Sequence, residues 1–301
     1  ALVDADGKHL GEKILFLAPS LEVLAKLRTG PQRAPETPGR EVLEVIAVGC
    51  GLTGGDNSGS GQRVNPFTGR PLVGLPHAEA EAANVAGRFR RAQLRTGAQA
   101  TEAGFRELSA YRADILHIAA HGVADQKEVR RSFVVLNPPT RDDEAALMDD
   151  GILQWYEAAD LDLDAGLVTL SSCSSASGVL AKGEGVTGLT QAFLFAGARC
   201  VLATLADVPD SYAASFMADF YASYKEGHTA AASLREAMFR ARGAQDSGDH
   251  RPLWAAFTLV GDGGVTISDP GRGGGLLSGR NIIVLLGLGV VSAVLVWRRS
   301  L

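Results

Sequence analysis

The sequence has few cysteines, few aromatic residues and no long basic run. Cysteine occurs three times in 301 residues, as Cys50, Cys173 and Cys200, and no two form a CxxC pair. A set this sparse argues against a disulfide framework and a structural zinc site, and it suits a reducing compartment. The net charge of −5 argues against nucleic acid as a partner. Cys50 and Cys200 lie in or beside apolar runs, where we expect them to be buried.

Three common catalytic motifs are also missing. The Gly-rich loop 51–74 lacks the GK[ST] ending of a phosphate-binding loop, so we expect either a flexible surface loop or a flap beside a substrate groove. No GxSxG surrounds Ser171, which argues against an α/β-hydrolase serine. His117 and His121 form HxxxH without the Glu of HExxH, so we predict a structural role for His117. No metal and no cofactor are predicted.

Apolar runs alternate with helical patterns along most of the chain. This alternation predicts an α/β fold with a mostly parallel central sheet that is covered by helices on both faces. Strands are predicted at 13–16 (an edge strand), 41–49, 94–96, 114–120, 132–136, 167–171, 199–205 and within 252–260. Helices are predicted at 21–27, 77–91, 102–111, 154–159, 186–196, 210–224 and 228–241. Thr101 is predicted to cap the helix at 102–111.

Two predicted strands end in residues that suit nucleophilic catalysis. Strand 114–120 is followed by His121 and Gly122, and strand 167–171 is followed by Cys173. Sites in such sheets form at the carboxyl ends of strands. A thiolate is the nucleophile of cysteine hydrolases, and a histidine in reach can take its proton and return it to the leaving amine. The N–H groups of Gly122 and Cys173 are candidates for an oxyanion hole.

Several motifs in a fixed order resemble the CHAT domain, a caspase-like domain that is often found beside TPR repeats in bacteria. They are HIAAHG at 117–122, LSSCSSASG at 170–178, GEGVTGLTQAFLFAGARCVLATLADVPD at 183–210 and PLWAAFTLVG at 252–261. The resemblance implies a caspase-like three-layer αβα fold and a His/Cys dyad, here His121 and Cys173. It also implies hydrolysis of peptide bonds without a metal.

The chain departs from the family pattern beside the predicted nucleophile. Ala206 stands where the family usually has Trp, while Val208 and Asp210 match, and Ser-Ser-Ala-Ser follows Cys173 where an acidic residue and Thr are common. Asp210 has two candidate roles. Its carboxylate can cap the following helix, or it can line a substrate pocket that favours a basic residue before the scissile bond.

The C-terminal part differs in composition from the rest. We predict a CHAT domain at 1–265, a Gly-rich linker at 266–281, a transmembrane helix at 282–297 and a basic tail at 298–301. The predicted location is a membrane, with the catalytic domain in the cytoplasm because the thiol must stay reduced. The alternative is an extracytoplasmic domain whose C-terminal segment is a sorting signal.

The sequence therefore predicts a cysteine endopeptidase that is tethered to a membrane and acts on a protein substrate. Because the chain begins at Ala1 rather than Met, we expect a signal or regulatory region to precede it. The resemblance implies that a TPR or sensor region in this place controls the domain. The alternative is a scaffold or signalling module that keeps the caspase-like fold without activity.

Overall fold

A computed structural model gives the fold of most of the chain. The predicted helix 21–27, Cys173, residues 268–281 of the predicted linker and the basic tail lie outside its described residues. The described residues are 14–18, 44–51, 64–109, 113–123, 128–138, 149–171, 184–244, 252–267, 282–288 and 291–296.

Most of the predicted strands and helices are present. The strands are β1 Ile14–Ala18, β2 Val45–Gly49, β3 Ala92–Thr96, β4 Ile115–Ala119, β5 His121–Val123, β6 Phe133–Val135, β7 Ile152–Gln154, β8 Leu167–Ser171, β9 Cys200–Thr204, β10 Phe257–Gly261, β11 Ile282–Leu288 and β12 Val291–Val296. The helices are α1 Ala78–Gly87, α2 Glu102–Ser109, α3 Trp155–Ala159, α4 Glu184–Phe195, α5 Asp210–Lys225 and α6 Ala230–Ala244.

A nine-stranded sheet forms the centre, in the order β12-β11-β1-β10-β9-β8-β4-β2-β3. The five strands from β9 to β3 are parallel to one another, so the predicted mostly parallel sheet is confirmed. β10 pairs antiparallel to β9, and β1 and β11 run parallel to β10. β1 was predicted to be an edge strand, which is wrong because β10 and β11 pair on its two sides.

Helices cover both faces of the sheet. Successive side chains of a strand point to opposite faces, and all residues of β2, β4, β8 and β9 are buried, as expected of central parallel strands. One face packs on α5 and α6 through a cluster that includes Val45, Ile115, Leu167 and Leu202. The other face packs on α2, α3 and α4 through a cluster that includes Ile46, Leu116, Val168 and Val201.

The predicted transmembrane helix at 282–297 is wrong as secondary structure. The run instead forms β11 and β12, which pair antiparallel, and β11 extends the sheet beside β1. The run is rich in Ile and Val, and an apolar run without a polar face does not by itself distinguish a helix from a buried strand. Across the described ranges, no helix has the length and hydrophobicity that crossing a bilayer requires.

A small second sheet lies beside the main one. It has the order β5-β6-β7 with antiparallel pairing, and His121 is opposite Val135. The sequence predicted that His121 lies at the tip of β4, and the structure shows that it does not. β4 ends at Ala119, and after Ala120 the chain enters the second sheet with His121 as its first residue.

Candidate active site

The register of two central strands aligns the strand ends that precede His121 and Cys173 in the sequence. β4 and β8 are parallel neighbours, and Ala119 is the partner of Ser171. His121 comes two residues after Ala119, and Cys173 comes two residues after Ser171. Cys173 itself lies outside the described residues. The strand that leads to it therefore ends level with the strand that leads to His121.

The imidazole of His121 is held by one backbone contact. The side chain is 4% exposed, and Nε2 is in hydrogen-bond contact with the carbonyl oxygen of Val73. A carbonyl can only accept, so Nε2 carries the proton in the neutral ring. Nδ1 is buried and makes no hydrogen bond to any described residue. The neutral ring therefore keeps its lone pair on Nδ1, the nitrogen that is able to act as a base.

Opposing effects act on the pKa of His121. Burial lowers the pKa below its usual value because it disfavours the imidazolium. The hydrogen bond to Val73 and the negative charge of Asp210 act in the opposite direction, and burial outweighs both. His121 is therefore neutral at neutral pH.

The described end of the Gly-rich loop lies next to His121. Asn65 closes a turn by accepting hydrogen bonds from the N–H groups of Phe67 and Thr68, and Phe67 packs on Phe133 of the small sheet with ring centroids 5.5 Å apart. Val73 then presents its carbonyl to His121, while the residue as a whole is 74% exposed. Whether the loop acts as a surface loop or as a flap beside a substrate groove stays a prediction. Val73 was missed by the sequence analysis because a backbone contact has no residue signature.

Asp210 is near His121, but it is not the cap of its own helix. It is the first residue of α5, whose N-cap position is Pro209, so the predicted capping role is wrong. Asp210 Oδ2 instead accepts a hydrogen bond of 2.6 Å from the backbone N–H of His77, just before α1. The predicted place of Asp210 in a substrate pocket stays a prediction.

Gly122, the predicted oxyanion donor, follows His121 in β5. It is buried and lies opposite Val134 of β6. The other predicted donor is the N–H of Cys173, and the oxyanion hole stays a prediction.

His117 occupies the core beneath this edge of the sheet. It is fully buried, its Nε2 lies 3.1 Å from Glu81 Oε1 of α1, and its Nδ1 lies 3.3 Å from the Tyr221 hydroxyl of α5. Tyr221 also bonds Thr169 of β8 at 2.7 Å. These contacts join α1 and α5 to the sheet, which is the structural role that was predicted. In the part of the chain that the structure describes, no three His, Cys, Asp or Glu side chains are grouped to hold a metal ion.

The two other cysteines are core residues, as predicted. Cys50 and Cys200 are both fully buried. Burial raises the pKa of the Cys200 thiol far above its usual value, so this thiol is not a nucleophile near neutral pH.

Curated relatives match a part of the chain. Tetratricopeptide repeat protein 28 of Mus musculus is 41% identical over 110 residues, and the same protein of Homo sapiens is 40% identical over 110 residues. Each match covers 36% of this chain, which spans only 4% of the length of those proteins. Both relatives are mammalian. The resemblance to a domain that is common in bacteria implies a bacterial source for this chain, which stays a prediction.

Two solved structures resemble parts of the fold. The Arg-specific cysteine proteinase gingipain R has a TM-score of 0.42 and 8% identity, over 75% of this chain and 48% of its own. A protein from Geobacter sulfurreducens has a TM-score of 0.40 and 16% identity, over 73% of this chain and 94% of its own.

A family comparison covers much more of the sequence. The CHAT domain matches residues 1–262, which include every motif of the resemblance and both members of the predicted dyad. A match of this extent in a chain of 301 residues shows that the chain belongs to the CHAT domain family.

Proposed function

We propose that this chain is a cysteine endopeptidase in which Cys173 is the nucleophile and His121 is the base. The register of β4 and β8 carries this proposal, because both residues follow paired strand ends by the same two positions. The neutral His121 ring, with its lone pair on Nδ1, supplies the chemistry of a general base. Membership of a family of caspase-like domains supports the same activity.

The proposed reaction uses groups of this chain alone. His121 Nδ1 takes the thiol proton of Cys173, and the thiolate attacks the carbonyl carbon of the scissile peptide bond. The oxygen of the tetrahedral intermediate accepts hydrogen bonds from the N–H groups of Gly122 and Cys173. The imidazolium then returns its proton to the leaving amine, and His121 activates a water molecule that hydrolyses the thioester.

The Val73 carbonyl has a defined part in this cycle. By accepting from Nε2–H, it keeps the proton on that nitrogen and stabilises the imidazolium that forms when Nδ1 takes the thiol proton. It also fixes the orientation of the ring.

The proposal extends to the partners of the chain. The substrate is a protein, and control by a TPR region is supported by the name of the curated relatives, which are tetratricopeptide repeat proteins. Attachment to a membrane, with the domain on the cytoplasmic side, stays a prediction that fractionation and protease accessibility in intact cells would test.

The proposed activity is tested by comparing the parent with Cys173→Ala on a peptide library. We expect cleavage by the parent and none by the variant, and a rate lower by about 10²–10⁴ for His121→Ala because the general base is lost. Equal cleavage by parent and Cys173→Ala would show that the nucleophile is wrong.

Thiol labelling distinguishes the peptidase from an inactive scaffold. An electrophilic peptide should modify Cys173 fast in the parent and slowly in His121→Ala, while the buried Cys50 and Cys200 serve as internal controls. If Cys173 reacts no faster in the parent than in His121→Ala and no peptide is cut, the scaffold interpretation is correct.

A further inference from the structure

Two helices begin close to His121, and one carboxylate joins their ends. α1 begins after His77, which makes no capping hydrogen bond with its side chain. The first N–H groups of a helix have no partner within the helix and need an acceptor from elsewhere. Asp210 supplies it from α5, because Oδ2 lies 2.6 Å from the His77 nitrogen although 133 residues separate them in sequence. A carboxylate on a helix N-terminus is a charge-assisted contact that the helix dipole favours.

The segment Val73–His77 connects this contact to the imidazole. At its start the Val73 carbonyl contacts His121 Nε2, and in its middle the Leu75 N–H donates to the Gly51 carbonyl at 2.7 Å. At its end the His77 N–H donates to Asp210. Two of these contacts involve a side chain of another element, His121 and Asp210, and the Leu75 contact is made by backbone alone. A substitution at Asp210 therefore removes the contact at His77 without altering the imidazole.

The rest of α1 is held independently of Asp210. One turn into the helix, Glu81 Oε1 lies 3.1 Å from the Nε2 of His117 in β4. The apolar side of α1 is buried through Ala78, Ala82 and Val85. Loss of the Asp210 contact should therefore loosen the segment before α1 without releasing the helix from the sheet.

We propose that Asp210 is a positioning residue whose carboxylate caps α1, fixes the Val73–His77 segment and thereby holds His121 through the Val73 carbonyl. This proposal rests on the proposed function only in that it takes His121 to be the base. It differs from a place in a substrate pocket, where the carboxylate would contact a basic residue of the substrate directly.

The variants Asp210→Asn and Asp210→Ala separate these roles. Asn loses the charge but keeps an oxygen that can accept from the His77 N–H, whereas Ala loses both. We expect Asp210→Asn to keep most of the kcat of the parent. Asp210→Ala should lose about tenfold to a hundredfold in kcat with little change in KM. The loss should be the same on substrates with and without a basic residue before the scissile bond. Asp219→Ala is the matched control: it removes a partly buried carboxylate of the same helix whose partner is Arg240 of α6, at 3.5 Å, and it should behave as the parent.

Two physical measurements test the contact without any substrate. Amide hydrogen exchange at Leu75 and His77 should be faster in Asp210→Ala than in the parent, Asp210→Asn or Asp219→Ala. NMR titration of His121 should give a lower pKa in both Asp210 variants, since the Asp210 charge raises it. The decrease should be larger in Ala, which also loosens the Val73 contact.

The opposite pattern would overturn the proposal. If Asn and Ala lose activity equally, only on substrates with a basic residue before the scissile bond, and exchange at Leu75 and His77 is unchanged, Asp210 is a pocket residue. If the parent cleaves no peptide, the proposed function fails but the exchange comparison still decides this inference. Faster exchange in Ala alone supports it, and equal exchange in all four proteins refutes it.

Discussion

At His121 the surroundings act on one imidazole in opposite directions. Burial removes the ring from water and disfavours its charge, while the Val73 carbonyl and the Asp210 carboxylate favour it. The balance leaves a neutral ring with a lowered pKa. A base that takes a proton from a thiol must itself be neutral. If the carboxylate charge outweighed burial, the pKa of His121 would be raised and the neutral form would be less populated.

This balance predicts the acidic limb of the pH profile. The rate at which Cys173 reacts with an electrophilic peptide should fall when His121 is protonated, with a midpoint below 6.5, since burial lowers the pKa from that value. The limb belongs to the thiol and imidazole together. The measurement is the labelling rate between pH 4 and pH 8, with Asp219→Ala as a control that leaves the midpoint unchanged. A midpoint above 6.5 would mean that negative charge outweighs burial at His121.

At the scale of elements, the approach of α1 to β2 places the Val73–His77 segment. β2 ends in Gly49, and a Cβ at this position would lie 2.8 Å from the carbonyl oxygen of Ala78 and 2.8 Å from the Cα of Glu79. Both atoms belong to the backbone of α1, so a neighbouring side chain cannot relieve the clash by changing its rotamer. Glycine at this strand end therefore allows the first turn of α1 to reach the sheet.

Gly49→Ala should move the first turn of α1 away from β2. We expect a loss of about 1–3 kcal/mol in the free energy of unfolding, as for overpacked sites, together with slower labelling of Cys173 because the segment before α1 shifts. Chemical denaturation and the labelling assay measure the two effects. Gly87→Ala, at the last residue of α1, is the matched control, since a Cβ at this position would meet no atom within 4 Å. Equal stability of the two variants would contradict the close approach.

The sequence predicted the elements better than their contacts. Strands such as Leu167–Ser171 are buried on both faces, as the local pattern indicated. Thr101 caps α2 by accepting a hydrogen bond of 3.0 Å from the N–H of Gly104, also as the local pattern indicated. The small sheet was only partly found because its strands have three residues each, too few for a periodic pattern. Asp210 fits the local signature of a cap, and its actual partner, His77, is 133 residues away.

At the scale of the whole molecule, three adjacent strands of the sheet, β10, β1 and β11, run in the direction opposite to the others. The five parallel strands bring their carboxyl ends to one edge, where His121 and the end of β8 lie. β10 runs antiparallel to β9, and β1 and β11 run parallel to β10. The carboxyl ends of these three strands therefore lie at the opposite end of the sheet. Side-by-side pairing of β1 with β11 means that the C-terminal apolar run contributes to the sheet rather than to the site.

Removal of residues 268–301 tests this use of the apolar run. β11 pairs with all five residues of β1, so the truncated chain would keep β10 beside β1 but leave its other edge without a partner. We expect a loss of a few kcal/mol in the free energy of unfolding, because each backbone hydrogen bond contributes about 1 kcal/mol, and self-association through the open edge.

The full-length variant Val284→Pro provides a second comparison for the same prediction. It keeps the length and the apolar character of the run, but proline cannot donate to the ladders that β11 forms with β1 and β12. Its denaturation midpoint should fall in the same direction as that of the truncated chain. If truncation leaves the midpoint unchanged and instead moves the protein out of the membrane fraction of cells, the run acts as a membrane anchor. The pairing of β11 with β1 would then be wrong.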